Sequence, residues 1–385
     1  MTAVLPAKKN RRATRSNVPA QTSSSRRFSP LSLFEALATP HGVDRYLELV
    51  NPMLTVREMR AEVVDVRRST GDTVTLTLRP TRHWRGFQAG QFVQITVEID
   101  GVRRTRCYSP ACSALRSDGR IEITIKAHPQ GLVSQHLHAN VAPGLVLGLS
   151  QAAGTFRLPD IRPGKVLLVS GGSGITPVLS MLRTLCDEGY RGDISFLHYG
   201  YTESDVSYRD DLRAIADAHP NVRLMLAYTD QQTFGDLHGF FGQEHLDAAA
   251  PWHADEDAQT FLCGPAPLMA SVRAVFDANG ISDRLHTEDF APAPFVADEG
   301  QATGTITFNR SVATAANSGS TLLEQAEAAG LTPEFGCRMG ICFSCTQVKT
   351  SGCTRNVRSG ELDSDPDVEV QLCINVPVGD VALDI

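Results

Sequence analysis

Four cysteines near the carboxyl end of the chain have the spacing of metal ligands. Cys337, Cys342 and Cys345 are spaced C-x4-C-x2-C, and 27 residues separate Cys345 from Cys373. Three thiolates from one loop and a fourth from a distant segment are typical of a plant-type 2Fe–2S cluster. Zinc is the alternative, but zinc sites usually pair one C-x2-C with a second or with two histidines. The spacing therefore predicts a 2Fe–2S cluster held by these four residues, with Cys353 as an additional thiol.

The cysteine count as a whole argues against a disulfide framework. The chain has nine cysteines, an odd number, and five of them fall within the last 50 residues. The amino-terminal segment has no apolar stretch of the kind that a secretory signal needs. A reducing cytoplasm is therefore the expected compartment, and a local cysteine cluster there usually binds metal.

Two stretches of the chain resemble known families. Residues 303–385 resemble a plant-type ferredoxin domain, and residues 56–291 resemble the ferredoxin-NADP reductase superfamily. The second resemblance rests on four motifs in chain order, which are R-x-Y-S, G-x-x-S, G-x-G-x-T-P and C-G-P. Together the resemblances imply a β-barrel that binds flavin, an α/β domain whose parallel sheet binds a nicotinamide coenzyme, and an α+β ferredoxin domain of the β-grasp fold.

The R-x-Y-S motif lies on a run that is predicted to be a strand. Alternation along that strand puts Arg106 and Tyr108 on one face, where a guanidinium can hold a phosphate through two hydrogen bonds. The resemblance implies that Arg106 binds the flavin phosphate, that Tyr108 stacks on the isoalloxazine ring, and that Ser109 lies near flavin N5. Tyr108 and Ser109 are accordingly predicted to be catalytic.

The G-x-x-S motif consists of Gly131 and Ser134 at the predicted start of a short helix. Backbone amides at a helix N-terminus, together with a serine hydroxyl, suit a pyrophosphate. A pyrophosphate favours FAD over FMN. Lys126 and His128 are candidates for further contacts, with an ordinary place on the surface as the alternative.

A glycine-rich turn connects the predicted strand Val166–Val169 to a helix. Such turns let the backbone approach phosphates and use the helix dipole. Pro177 stands where a third glycine would complete the standard dinucleotide fingerprint, so the loop is not of that type. The resemblance instead implies that Gly172, Gly174 and Thr176 contact the phosphate or ribose of the coenzyme.

The C-G-P motif ends the predicted strand Phe261–Cys263 and opens a helix. The resemblance places Cys263 beside the nicotinamide ring as a catalytic residue, with Gly264 and Pro265 in the coenzyme site. A buried structural cysteine is the alternative, because free cysteines are commonly buried. Glu288 and Phe290 occupy the positions where related chains have an acid and an aromatic residue near the flavin.

The choice between NADPH and NADH stays open from the residues. A 2′-phosphate usually needs a neighbouring Arg or Lys, and the predicted strand ends 199–203 and 228–230 contain neither. Arg209 is the candidate that could swing in to supply this charge. These residues favour NADH, whereas the resemblance implies NADPH.

The elements that must position these motifs follow from hydrophobic periodicity. Six short alternating runs between residues 59 and 150, with glycines between them, predict a barrel. Apolar runs that alternate with helical stretches from Lys165 predict a parallel sheet. Thr321 and Glu324 form a capping box for a helix that Gly330 ends. The predicted order is a disordered basic tail at 1–30, a helical lead-in at 31–55, the FAD domain at 56–160, the NAD(P) domain at 161–291, a linker at 292–302 and the ferredoxin domain at 303–385.

Composition excludes two classes of protein. The chain is 42% hydrophobic and 21% charged, as in ordinary soluble proteins, and no apolar run is long enough to span a membrane. A net charge of −7 argues against nucleic-acid binding. The first 30 residues are different, with no acid and seven basic residues, which are Lys8, Lys9, Arg11, Arg12, Arg15, Arg26 and Arg27. This tail is expected to be solvated or to make peripheral contact with the anionic inner membrane face.

The domain order predicts a reductase. Electrons would pass from NAD(P)H through FAD and the 2Fe–2S cluster to an oxygen-activating iron enzyme. Residues 31–52 resemble the segment before the barrel in bacterial reductases that serve membrane acyl-CoA desaturases, so a fatty acyl-CoA desaturase is the expected acceptor. The alternatives are a hydroxylase or Rieske-type oxygenase system, or a redox sensor without turnover. Five acids between residues 361 and 369 are a possible docking surface or a solvated loop.

Overall fold

The computed structural model describes residues 43–129, 131–290, 302–340 and 343–385. Within these residues the chain forms three six-stranded sheets, one after another along the sequence. The predicted basic tail, the first part of the predicted helical lead-in, most of the linker and Cys342 lie outside the described residues. No helix in the described part of the chain is long and apolar enough to cross a membrane.

The first sheet is antiparallel and curls into a barrel, as the alternating runs predict. Its strands are β1 Arg60–Thr70, β2 Thr73–Pro80, β3 Val93–Ile99, β4 Val102–Tyr108, β5 Ile121–Lys126 and β6 Val146–Leu149. The strand order is β4-β3-β6-β1-β2-β5, and a bridge between Pro110 and Ile123 joins the two edges. Alternate side chains fill one apolar core, which makes period-two alternation the physical basis of this barrel domain.

Two helices accompany the barrel domain, α1 Val43–Glu48 and α2 Leu132–Asn140. Helix α1 lies within the predicted helical lead-in at 31–55. The Asp44 carboxylate accepts hydrogen bonds from the amides of residues 56–58, at 2.5–2.9 Å, and so ties α1 to the chain that enters β1. Burial alone would raise the Asp44 pKa, but these three amides and the charge of Arg60 lower it overall.

The second sheet is wholly parallel, which confirms the prediction from alternating apolar and helical stretches. Its strands are β7 Lys165–Gly171, β8 Asp193–Gly200, β9 Val222–Tyr228, β10 Leu237–His238, β11 Ala258–Gly264 and β12 Leu285–Asp289. Their order is β10-β9-β8-β7-β11-β12. The helices of this parallel-sheet domain are α3 Ile175–Asp187, α4 Arg209–Ala218, α5 Gln243–Ala249 and α6 Ala266–Ala278. Separate apolar clusters cover the two faces of the sheet, as a parallel sheet requires.

Helix α3 fastens the parallel-sheet domain to the barrel domain. Arg183 forms an ion pair with Glu122 of β5 at 2.8 Å, and Ser180 Oγ donates to the carbonyl of Cys112 at 2.8 Å. Both contacts are largely shielded from water, so they stabilise the interface more than exposed pairs would. The two domains therefore meet along the helix that follows the glycine-rich turn.

The third sheet is mixed, with one helix across it. Its strands are β13 Thr305–Phe308, β14 Ala313–Ala316, β15 Thr346–Asn356, β16 Leu362–Asp363, β17 Val368–Gln371 and β18 Asn375–Leu383. Strands β13 and β18 are parallel and the other pairs are antiparallel. Helix α7, Leu322–Ala328, has the predicted capping box of Thr321 and Glu324. Gly330 follows it with φ +81°, as a helix stop requires.

Candidate functional site

One cavity of about 260 Å³ lies where the barrel domain, the parallel-sheet domain and the C-terminal domain of β13–β18 meet. Most of the residues singled out from the sequence line it. They are Arg106, Cys107, Tyr108, Ser109, Lys126, His128, Gly131, Ser134, Thr176, Glu288, Phe290 and Cys337, together with Phe92, Thr124, Val133, Ser173 and Met339. Motifs that are up to 231 residues apart in sequence, from Arg106 to Cys337, thus share one wall.

The Arg106 side chain is the main cationic group of this cavity. It lies near the end of β4, and its Nη1 donates to the carbonyls of Thr105 at 2.7 Å and Gly336 at 3.3 Å. Burial lowers the Arg106 pKa, and the charges of Arg338 and Arg104 add to that effect. A half-buried guanidinium among other cations is best compensated by an anion. The surroundings of Arg106 therefore suit a phosphate.

Two buried polar atoms face the cavity without partners. Neither Ser109 Oγ nor Glu288 Oε2 has a hydrogen bond of ordinary geometry among the described residues. Burial, with the charge of Asp289, raises the pKa of Glu288 to about 8, and the adjacent Ser109 hydroxyl offsets part of this rise. Buried polar groups without partners are rare in folded proteins. Ser109 and Glu288 therefore mark a place where a polar ligand would bind.

Glu288→Gln is expected to flatten the pH dependence of stability. A carboxyl whose pKa rises from 4.5 to about 8 holds its proton more tightly in the folded protein than in the unfolded chain. Raising the pH through this window lowers the free energy of unfolding by at most about 1.4 kcal/mol per pH unit. Urea midpoints of flavin-free wild type and variant, at about pH 5 and about pH 8, measure the difference. Equal declines in both proteins would contradict the assigned protonation.

The start of α2 presents free amides to the cavity. Gly131 is the N-cap of this helix, and no side chain in the described residues caps it. Ser134 Oγ donates to the Gly131 carbonyl at 3.0 Å and accepts from the His128 amide at 3.3 Å. The helix start predicted from G-x-x-S is therefore present. Lys126 is paired with Asp72 at 3.2 Å while it lines the same cavity.

The glycine-rich turn Gly172–Gly174 connects β7 to α3. A Cβ on Gly174 would overlap the backbone carbonyl of Cys263 on the adjacent strand, so only glycine fits there. Helix α3 begins at Ile175, which puts Thr176 in its first turn. Thr176 is buried, its Oγ1 donates to the Ser173 carbonyl at 3.3 Å, and both residues line the cavity. The turn therefore brings the parallel-sheet domain up to the residues of the R-x-Y-S motif.

The C-G-P motif lies behind this turn rather than on the cavity wall. Cys263 is fully buried at the end of β11, and Gly264 and Pro265 lead into α6. Burial raises the pKa of the Cys263 thiol well above its usual value, and the charges of Glu288 and Asp289 contribute. This thiol is therefore neutral and packed in the apolar core. Its predicted place beside the nicotinamide ring stays a prediction.

Three of the four predicted ligand cysteines converge in the C-terminal domain. Cys337, Cys345 and Cys373 are buried. A hydrogen bond with Cys345 raises the Cys373 pKa, and burial and the charges of Cys345 and Cys337 act in the same direction. Among the described residues no group of three or more His, Cys, Asp or Glu meets the geometry of a metal site. The fourth cysteine, Cys342, lies outside the described residues.

The loop around these thiols directs backbone amides at sulfur. The Met339 amide donates to Cys337 Sγ at 3.2 Å, and the Gly340 amide lowers the pKa of Cys373 by a hydrogen bond. Gly340 has φ +71°, and a Cβ there would lie 2.5 Å from the Ile374 side chain. Close backbone approach at this loop thus requires glycine. Cys353 lies on β15, where its thiol contacts the Thr354 carbonyl at 3.9 Å.

Several residues of the cavity wall, Met339 above all, were not predicted from the sequence. Met339 lies between Cys337 and Cys342 in the cysteine motif, so the sequence alone places it near the predicted cluster. Its position on the flavin-motif cavity was not, because that depends on how the C-terminal domain docks on the barrel. Among the described residues, this docking includes the hydrogen bonds from Arg106 to the Gly336 carbonyl and from Ser344 to Gln94, each at 3.3 Å.

Two family matches agree with the first two domains. Residues 60–158 match the oxidoreductase FAD-binding domain, and residues 168–274 match the oxidoreductase NAD-binding domain. The fold and the matches define an NAD(P)H-dependent flavoprotein oxidoreductase. The chain belongs to the ferredoxin-NADP reductase superfamily.

Similar proteins and a similar solved structure agree with this assignment. An NADPH oxidoreductase of Mycobacterium tuberculosis is 39% identical over 353 residues, which are 91% of this chain and 90% of the relative. The glycine betaine monooxygenase reductase subunit of Pseudomonas aeruginosa is 31% identical over 77% of this chain and 87% of its own. The fold resembles that of phthalate dioxygenase reductase, with a TM-score of 0.59 and 22% identity over 85% of this chain and 97% of that chain.

Proposed function

We propose that this protein is the reductase component of an oxygenase system. It would carry electrons from NAD(P)H through bound FAD and a 2Fe–2S cluster to an iron oxygenase. The observation that carries the proposal is the cavity that the R-x-Y-S motif, Thr176 and Cys337 line together. When bound, FAD can accept a hydride and release its electrons one at a time, and a 2Fe–2S cluster carries one electron.

The barrel residues fit FAD. Arg106, with cations around it, would hold the flavin phosphate. The amides in the first turn of α2, after Gly131, would bind the pyrophosphate. Tyr108 would stack on the ring, while the unpartnered Ser109 Oγ and Glu288 Oε2 would hydrogen-bond its polar edge. Because Glu288 has a raised pKa, it would hold a proton at that edge near neutral pH.

The parallel-sheet domain would orient the coenzyme. Gly172, Gly174 and the amides at the start of α3 suit its phosphates, and Thr176 would contact phosphate or ribose. Phe290 lines the cavity beside Glu288 and would shield the reacting rings from water. These contacts would bring the nicotinamide to the flavin at close range, which is the requirement for hydride transfer.

Thr176→Ala is expected to raise the KM for the coenzyme several-fold while flavin content stays at the wild-type level. The substitution removes one hydroxyl that would contact the coenzyme but leaves Arg106 and Gly131 in place. A lost neutral hydrogen bond costs about 0.5–1.5 kcal/mol. Steady-state kinetics with ferricyanide, a small acceptor, measure KM. A variant with normal KM but depleted flavin would contradict this role.

The cysteine loop fits an iron–sulfur cluster better than zinc. Cys337, Cys345 and Cys373 are grouped, and amides of Met339 and Gly340 point at their sulfurs. Amide hydrogen bonds to sulfur are a means by which proteins tune such clusters. Cys337 also lines the flavin-motif cavity. A cluster held there, with Cys342 as fourth ligand, would lie next to the flavin.

An oxygenase acceptor is better supported than the desaturase that residues 31–52 favour. One relative is a glycine betaine monooxygenase reductase subunit, and the similar fold belongs to a dioxygenase reductase. Its alignment over 85% of this chain extends beyond residues 56–290 and so includes part of the C-terminal domain. The acidic loop is less free for docking than expected, because fully buried Lys349 binds Asp363 at 2.9 Å.

The relative that is 39% identical is named an NADPH oxidoreductase, which favours NADPH as the coenzyme. The local residues still favour NADH, because Arg209 pairs with Glu203 at 2.8 Å and would have to leave that partner to bind a 2′-phosphate. Asp230 adds another carboxylate at the end of β9. We therefore propose NAD(P)H as the electron donor, and the spectroscopic test below distinguishes NADPH from NADH.

An absorption spectrum of the purified protein, recorded before and after anaerobic addition of NADPH or NADH, tests the proposal. We expect flavin and iron–sulfur bands, both bleached, and faster bleaching with one coenzyme. Steady reduction of cytochrome c by NAD(P)H would then distinguish a reductase from a redox sensor. A flavin band without iron–sulfur absorbance, in protein with full iron supply, would overturn the cluster assignment.

A further inference from the structure

Tyr208 has a strained backbone at the start of α4. Its φ is +65°, in the left-handed region that bulky side chains rarely adopt, and its side chain is buried. Strain of this kind persists only where surrounding contacts hold the residue in place. In Tyr208 those contacts come largely from another domain.

The Tyr208 hydroxyl reaches across the domain interface into the barrel. It donates to Glu122 Oε1 at 3.1 Å, shares a short hydrogen bond with Thr124 Oγ1, and lies 3.4 Å from Thr75 Oγ1. These three residues belong to β2 and β5. A residue of the parallel-sheet domain is thus bound by polar groups of the barrel domain.

Two guanidinium groups lie close to the Tyr208 ring. Arg67 of β1 is 5.2 Å from the ring centroid, and Arg183 of α3 is 5.1 Å from it. Asp211 of α4 connects them, with oxygen–nitrogen distances of 3.2 Å to Arg67 and 3.7 Å to Arg183. Cation–π contacts of this kind are attractive. The ring and Asp211 therefore join the barrel, α3 and α4 at one point.

We propose that Tyr208 is a positioning residue for hydride transfer. Helix α3 carries Thr176 at its amino end, on the cavity wall, and Arg183 two turns later against Tyr208. Because a helix is stiff, fixing Arg183 against the barrel also fixes the distance between the glycine-rich turn and Ser109. The inference rests on the proposed function, since it concerns the alignment of coenzyme and flavin.

The test compares Tyr208→Asn with Tyr208→Phe. Asparagine accepts left-handed backbone but removes the ring, whereas phenylalanine keeps the ring between the two arginines. In Tyr208→Asn, flavin reduction at saturating NAD(P)H should slow by about 10-fold to 100-fold, because a misplacement of about 1 Å costs that much. KM and flavin content should stay at wild-type values. Tyr208→Phe keeps the ring between the arginines but loses the hydroxyl contacts with the barrel, so its rate should fall between those of wild type and Tyr208→Asn.

A second readout needs no bound cofactor. The Ala114 amide of the barrel domain donates to Thr184 of α3 at 3.0 Å. Hydrogen exchange in a peptide spanning residues 110–116 of the flavin-free protein should therefore accelerate in Tyr208→Asn. Tyr190→Asn is the matched control, because the Tyr190 hydroxyl donates to the Pro163 carbonyl at 2.5 Å and, within the described part of the chain, makes no hydrogen bond to the barrel strands. It should leave both exchange there and the reduction rate unchanged.

Arg67→Gln decides the question if Tyr208→Asn fails to fold. The Arg67 side chain is about half exposed, so its loss does not threaten the core, and we expect a smaller change in the same direction. Wild-type reduction rates and wild-type exchange in every folded variant of Tyr208 and Arg67 would overturn the proposal. If NAD(P)H failed to reduce even the wild-type flavin, the proposed function would fall, and exchange alone would still decide the positioning.

Discussion

Cys373→Ser is expected to abolish the iron–sulfur absorbance and the reduction of one-electron protein acceptors. Cys373 is buried and shares a hydrogen bond with the free thiol of Cys345. Its replacement by serine therefore removes one of the predicted cluster ligands. A serine oxygen is a harder ligand than thiolate and does not replace it in a cluster of this type. Reduction of ferricyanide should continue, because the flavin can serve that acceptor directly. Iron content, visible spectra and parallel assays with cytochrome c and ferricyanide measure the result.

Cys353→Ser is the matched control for this prediction. Cys353 is a cysteine of the same domain, on β15, with its thiol turned to the Thr354 carbonyl. Its replacement should leave the spectrum and both assays unchanged. A cluster that survived in Cys373→Ser but vanished in Cys353→Ser would reverse the assignment of the fourth ligand.

Arg106→Ala is expected to weaken flavin binding by about 1.5–3 kcal/mol, the cost of one charge-assisted hydrogen-bonding group. This corresponds to a dissociation constant about 10-fold to 150-fold higher. Alanine removes the half-buried cation and its bond to the Gly336 carbonyl, so contact with the cysteine loop should loosen as well. Flavin occupancy after dialysis at micromolar protein, and fluorescence titration of the flavin-free protein, measure the change.

Arg103→Ala separates this effect from the loss of any positive charge on β4. Arg103 is on the same strand, largely exposed, and 3.8 Å from Glu58. Exposed charge pairs contribute little, so its loss should leave flavin occupancy at the wild-type level. Full occupancy in Arg106→Ala, or equal losses in both variants, would show that Arg106 does not hold the phosphate.

Local patterns determined the secondary structure before any tertiary contact was known. The six strands of the barrel follow from alternating side chains, and the parallel strands follow from short apolar runs between helices. The capping box of Thr321 and Glu324 fixed the start of α7, and the glycine-rich turn fixed the junction of β7 and α3. Each of these signals depends on residues only a few positions apart.

Motif spacing also selected several side chains that meet in the structure. Arg106, Ser109, Thr176 and Cys337 were chosen from short motifs, and the structure brings all four to one cavity. Cys263 was chosen in the same way but is packed in the core behind the turn. A motif specifies the residue type and the local backbone, whereas the exposure of a side chain depends on neighbouring strands.

Tertiary structure alone decided which distant groups meet. Met339 joins the flavin-motif cavity, Lys349 holds Asp363 of the acidic loop, and Tyr208 is bound by barrel residues. The rise of the Glu288 pKa also needs the fold, because burial causes it. Such contacts join segments with no shared periodicity, and their energies depend on distance and exclusion of water. Sequence therefore determined the elements and selected the motif residues, and packing determined which of these residues meet at one cavity.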